Sequence, residues 1–148
     1  MVVAETLGLN SGTRIMASDI DTKVLATAQR GVYDAEARGL SPERQQRHFM
    51  RGRGNNAGFI RVKPELASMV EYRPFNLMSK DWSLGDPFDL IFCRNVMIYF
   101  DAATQRRVLQ QMHRVLKTGG LLYVGHSENF SDSKDIFRLR GKTIYERV

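Results

Sequence analysis

The chain has 148 residues, 43% hydrophobic and 26% charged, with 22 Lys and Arg against 16 Asp and Glu, a net charge of +6. That length suits one ordinary domain, which buries roughly 68–70% of its unfolded surface, and the composition excludes a disordered or collagen-like chain. No apolar run approaches the ~20 residues of a membrane span, no apolar signal segment follows Met1, and a lone cysteine, Cys93, excludes an internal disulfide and a four-ligand cysteine zinc set, which points to a reducing cytoplasm.

Residues 1–8 (MVVAETLG) predict the end of a helix closed by Gly8, because glycine tolerates the left-handed cap. A short strand over 13–18 leads to Asp19 and Asp21, and Asp21 or Thr22 caps a helix with Val24, Leu25 and Ala28 on one face. Ser41-Pro42-Glu43 opens another helix, proline being favoured at the first helical position. Residues 47–51 and 58–63 alternate like a small hairpin around the loop Gly52–Gly58. Strand 69–74 closes at Pro74, and FDLIFC (88–93) predicts a strand buried on both faces. Asp101 caps a helix running to Lys117, stopped by Gly119-Gly120. LLYVG (121–125) is a further buried strand, and 135–147 predicts two antiparallel edge strands around Gly141. Strands alternating with helices at this spacing imply an α/β fold with a parallel, doubly wound sheet.

The charge is uneven. Residues 1–29 carry a net −1 and 64–148 a net +2, but 30–63 carry +5, from eight basic groups (Arg30, Arg38, Arg44, Arg47, Arg51, Arg53, Arg61, Lys63) against Asp34, Glu36 and Glu43. The same segment has five of the twelve glycines and reads as an insertion.

Asp19, at the end of the first complete strand, stands where a doubly wound fold bonds a nucleotide ribose; capping of the next helix by Asp19 or Asp21 is an equal reading. Gly52–Gly58 is followed by a strand, not a helix, so it lacks the N–H array of a phosphate loop. Asn76-Leu77 follow strand 69–74, and Arg94-Asn95, with Tyr99 beyond, follow strand 88–93. Carboxyl ends of parallel strands are where such folds bind ligands. His126-Ser127-Glu128 follow the strand 121–125, yet three consecutive side chains rarely converge and no nucleophile elbow is present. His48 and His113 stand alone and read as satisfied or surface residues. The +6 raises a nucleic-acid reading, but helix-turn-helix, zinc-finger and aromatic-platform patterns are missing, so no nucleic-acid partner is expected. A dehydrogenase would need a dinucleotide loop, which the chain does not show.

Together ASDIDT (17–22), FMRG (49–52), Asn76-Leu77, FCRNVMIYF (92–100) and GHSENF (125–130) resemble the catalytic domain of CheR-type chemotaxis receptor methyltransferases, in order and spacing along nearly the whole chain. The resemblance implies a class I, Rossmann-like fold and transfer of a methyl group from S-adenosylmethionine to receptor glutamates, leaving S-adenosylhomocysteine. It implies that Asp19 bonds the cofactor ribose, Asn76 and Leu77 border the adenine, Arg94 and Asn95 line the methionine end, and Tyr99 sits beside the methyl. It further implies that 30–63 is a small β-subdomain docking a peptide at the receptor's C-terminus through Arg51, Gly52, Arg53, Gly54 and Gly58.

The family pattern also has a first strand and a glycine-rich loop that would fall before Met1. In a sheet of order 3-2-1-4-5 that strand is central, so strands 13–18 and 88–93 are expected to flank a gap. The expectation that follows is weak cofactor binding by these residues alone, with instability or self-association through the open edges. The alternative reading is a docking module with a vestigial cofactor site.

Overall fold

The computed structural model describes residues 1–9, 12–36, 39–130 and 133–148. Arg38, counted in the basic segment, lies outside the described residues. The chain forms two compact units, Met1–Asn76 and Leu77–Val148.

In the first unit, α1 (Val2–Leu7) ends at Gly8, whose φ of +83° suits a residue without a side chain. β1 (Ile15–Asp19) runs parallel to β5 (Val70–Pro74), with Ile15 opposite Val70 and Asp19 opposite Pro74. Between them α2 (Thr22–Arg30) starts on Asp21, which accepts the N–H groups of Lys23 and Val24. Leu25 is buried, whereas Val24, expected on the same face, is exposed. β2 (Val32–Asp34), β3 (Phe49–Arg51) and β4 (Phe59–Val62) form an antiparallel sheet of order β2-β4-β3. The expected hairpin is its β3–β4 half. The third strand, β2, has three residues, all exposed, so its apolar pattern could not announce it. Ile60 and Phe49 fill one face of this sheet, and the Phe49 ring meets Tyr33 edge-on at 6.3 Å. α3 (Pro42–His48) begins with the expected Ser41 cap and Pro42. α4 (Pro64–Ala67) leads to β5, and Leu66 and Met69 pack on Ala4 of α1.

In the second unit, β6 (Phe88–Cys93), α5 (Ala102–Val115) and β7 (Leu116–Val124) make a strand–helix–strand unit with parallel strands. Asp101 caps α5 through the Thr104 N–H at 2.7 Å. The helix buries Val108, Leu109 and Met112, which recur at helical spacing. It ends at Val115, two residues before the expected Lys117, because Leu116 is already extended and fully buried opposite Phe88. From there β7 advances five residues while β6 advances two, so Lys117–Gly120 bulges, with Gly119 at φ +77°.

β8 (Phe137–Gly141) and β9 (Ile144–Arg147) complete the order β6-β7-β9-β8. Only β8 is therefore an edge of the expected pair; β9 lies inside the sheet. β6 is not buried on both faces: Leu90 is 38% and Phe92 66% exposed, and only Cys93 is buried. Among the described residues β1 has a ladder partner only in β5, and β6 only in β7.

Candidate functional site

The first candidate region is the carboxyl end of the β1–β5 pair. The Asp19 carbonyl accepts the Phe75 N–H at 2.9 Å, so the chains leaving both strands are tied where Asp19 and Asn76 stand. Asp19 Oδ1 accepts the Asp21 N–H at 2.9 Å, and Asp21 in turn caps α2 at 2.7 Å from Lys23 N. The two acids thus separate by role. Asp21 is the cap; Asp19 is half-buried and keeps its second oxygen for another donor. Asn76 is exposed and Leu77 half-buried, on either side of the boundary between units.

The second region lies at the carboxyl ends of β6 and β7, within the second unit. After Cys93 the chain turns through Arg94 and Asn95 into a 3-10 turn at Met97–Tyr99. Asn95 has φ +60°, a left-handed conformation that asparagine tolerates better than most side chains. The turn closes on one carboxylate. Glu128 Oε1 accepts Val96 N–H at 3.1 Å and Met97 N–H at 2.8 Å, while Oε2 accepts Asn95 N–H at 3.1 Å and the Gly125 N–H. Glu128 is 5% exposed, and four donors satisfy the buried charge. A Cβ on Gly125 would come within 2.9 Å of Glu128 Oε2 and would strike Asn95 Oδ1, so that position requires glycine. Gln105 of α5 donates to the carbonyls of Met97 and Phe100 at 2.9 and 3.1 Å, pinning the turn from its other side.

This frame leaves Arg94 exposed and Tyr99 80% exposed, so both side chains are open to a ligand. Beneath it, burial and the Glu128 charge push the Cys93 thiol up to about 12, which keeps it a neutral packing group rather than a nucleophile. His126 and Ser127 point to solvent while Glu128 points inward, so these three form no hydrolytic set. Sequence reasoning missed the role of Glu128. The available signal was an acid three residues beyond a buried strand and its glycine.

The basic insertion places Arg51, Gly52, Arg53, Gly54 and Gly58 on the β3–β4 hairpin. Gly52 N–H bonds the Phe59 carbonyl at 2.8 Å, and a side chain at 52 would collide with the Asn56 carbonyl. Gly54 and Gly58 take φ of +55° and +92°. Arg51 and Arg53 are exposed. His48 is satisfied by Glu5 at 2.9 Å, and Arg44 takes the other oxygen of that acid at 2.9 Å. The His48 bond, then Arg44, holds the Glu5 carboxyl below its usual range. His113 bonds the Val148 carbonyl at 3.1 Å and packs edge-on against Phe137.

The family description "CheR methyltransferase, SAM binding domain" matches residues 1–146. The chain belongs to the CheR methyltransferase family. It is 50% identical over 147 residues to the chemotaxis protein methyltransferase of Escherichia coli K12, covering 98% of this chain and 51% of that protein. Chemotaxis protein methyltransferase 2 of Pseudomonas aeruginosa is 46% identical over 98% of this chain and 52% of its own length. The chain spans about half the length of the curated relatives it matches. Among solved structures, the N-methyltransferase NodS of Bradyrhizobium japonicum aligns with 90% of this chain and 73% of its own, at TM-score 0.51 and 13% identity. That likeness shows a shared class I methyltransferase fold.

The residues of this CheR-family chain fit S-adenosylmethionine. Asp19 has an acceptor oxygen left for a ribose hydroxyl, at the strand end where such folds hold nucleosides. The exposed Arg94 guanidinium suits the carboxylate of an amino-acid moiety. No helix among the described residues is long and apolar enough to cross a membrane, and no cluster of His, Cys, Asp or Glu among them could hold a metal ion.

Proposed function

We propose that this chain forms the cofactor-binding part of an S-adenosylmethionine-dependent methyltransferase that esterifies glutamate side chains of chemoreceptor cytoplasmic domains. The observation that carries the reading is the prebuilt turn Arg94–Tyr99, with an exposed cation and phenol on a frame fixed by Glu128. When bound, S-adenosylmethionine supplies a methyl group on a sulfonium, and its transfer leaves S-adenosylhomocysteine. Asp19 bonds the ribose, Asn76 and Leu77 flank the adenine, and Arg94 and Asn95 hold the methionine end. Tyr99 orients the incoming carboxylate. A glutamate carboxylate, with a reference pKa of about 4.3, is already anionic at neutral pH, so no side chain need remove a proton. The residues have only to align nucleophile and methyl, and such alignment can supply ~7–11 kcal/mol of the barrier.

The hairpin carrying Arg51, Gly52, Arg53, Gly54 and Gly58 is the proposed docking surface for a peptide at the receptor's C-terminus. Its excess positive charge suits an anionic segment. A cytoplasmic setting follows from that substrate. In a full-length methyltransferase containing these residues, methyl-labelled S-adenosylmethionine should yield base-labile label on receptor glutamates. Arg51→Glu with Arg53→Glu should raise KM for receptor about tenfold and leave cofactor Kd unchanged. Absence of base-labile label on receptor would overturn the reading, and equal loss of both affinities would remove the docking role.

A further inference from the structure

Glu128 is the one buried carboxylate among the described residues, and its bonds go to backbone rather than to a basic side chain. Burying a charge is costly, so a site that serves folding alone is more cheaply built from neutral groups. Three successive N–H groups, of Asn95, Val96 and Met97, converge on it in the manner of an anion-binding nest, with the carboxylate as the internal anion. The same three residues include Asn95 at φ +60°, the one positive φ among the described non-glycine residues. The buried charge and the unusual backbone therefore coincide at the residues that separate Arg94 from Tyr99. A fourth bond ties this turn to Gly125 at the end of the neighbouring strand. Both strand ends are thereby locked to one another through a single side chain.

We propose that Glu128 is the positioning residue of the transfer site: its carboxylate sets the 95–97 turn and so aims Arg94 and Tyr99. The inference rests on the methyl-transfer reading above. Each oxygen takes two N–H groups, so an amide at 128 would turn an NH2 toward two donors and break half the set. The turn would then shift by a fraction of an ångström to an ångström, enough to cost orders of magnitude in an alignment-driven reaction. Receptor docking, on a different sheet, should not respond.

The test uses Glu128→Gln and the milder Glu128→Asp, which keeps the charge but shortens the arm, in a full-length methyltransferase containing these residues. Turnover is measured at saturating S-adenosylmethionine per mole of protein that unfolds cooperatively in denaturant, which removes unfolded molecules from the count. The expected result is a fall of about 100-fold for Gln and about tenfold for Asp, with receptor KM within twofold. In 15N spectra the amides of Asn95, Val96, Met97 and Gly125 should shift together while those of β2, β3 and β4 stay in place. If the Gln protein does not fold, the Asp protein decides. Unchanged turnover per folded molecule would overturn the proposal, as would loss of amide dispersion throughout the second unit with Asp. A wild-type enzyme that binds cofactor but esterifies no receptor would instead overturn the methyl-transfer reading, leaving the amide shifts to judge the turn.

Discussion

The turn after β1 and the turn after β6 are each organised by a carboxylate, and the two are in opposite states. Glu128 is buried, and both its oxygens are saturated by four backbone donors. Asp19 is half-buried, bonds one backbone N–H and retains an oxygen with no partner among the described residues. Saturation marks an acid that holds the protein, since no lone pair in reach remains for a ligand. Spare capacity marks an acid that can hold something else. Acidity and strand-end placement do not separate these roles, because both carboxylates stand at the carboxyl ends of parallel strands; the count of donors does.

Removing each acid should therefore break a different property. Glu128→Ala leaves four N–H groups without their acceptor, those of Met97 and Gly125 buried and those of Asn95 and Val96 partly so, and each unsatisfied buried group costs about 1–3 kcal/mol. Water entering the space recovers part of this, so the expected loss is about 3–5 kcal/mol, read by denaturant unfolding. A loss below ~1 kcal/mol would mean that the turn holds itself. Asp19→Ala should do the reverse. Hydrogen bonds to charged groups contribute about 1.5–3 kcal/mol, so cofactor binding in the full-length enzyme should weaken roughly 10–100-fold. Unfolding stability should change by less than ~1 kcal/mol. Calorimetric titration beside a melting curve distinguishes the outcomes, and a stability loss equal to that of Glu128→Ala would erase the contrast.

Much of the fold was legible because its elements carry strong local signals. Val24, Leu25 and Ala28, like Val108, Leu109, Met112, Val115 and Leu116, recur at helical spacing, although Val24 is exposed and Leu116 belongs to β7; Ser41-Pro42 and Asp101 are helix starts, and FDLIFC and LLYVG are short apolar runs between breakers. What escaped depends on partners remote in sequence. β2 is three exposed residues that become a strand only because Arg61, Ile60 and Phe59 lie opposite. α5 stops at Val115 because Leu116 pairs with Phe88, which no helix signal encodes. In the candidate site, Asp19, Arg94, Asn95 and Tyr99 were legible as polar residues at strand ends. Glu128 was not, since three of its four partners are backbone N–H groups some thirty residues away, and a backbone donor leaves no mark on composition.

Asp21 supplies the smallest and sharpest comparison, because it stands two residues from Asp19 and is the same residue type. Its carboxylate accepts from Lys23 and Val24 at 2.7 and 3.4 Å, the geometry of a helix cap. Replacing an aspartate cap by alanine costs about 1 kcal/mol. Asp21→Ala should thus lower stability by ~1 kcal/mol and weaken cofactor binding no more than twofold, since the Asp19 oxygen left for a ligand is untouched. Asp21→Ser, which retains an oxygen acceptor at the cap, should recover most of the lost stability. If Asp21→Ala instead weakened cofactor binding as much as Asp19→Ala, the bond from Asp21 N–H to Asp19 Oδ1 would be what aims the ribose acceptor. The two acids would then act as one unit, and donor count alone would no longer separate a cap from a ligand.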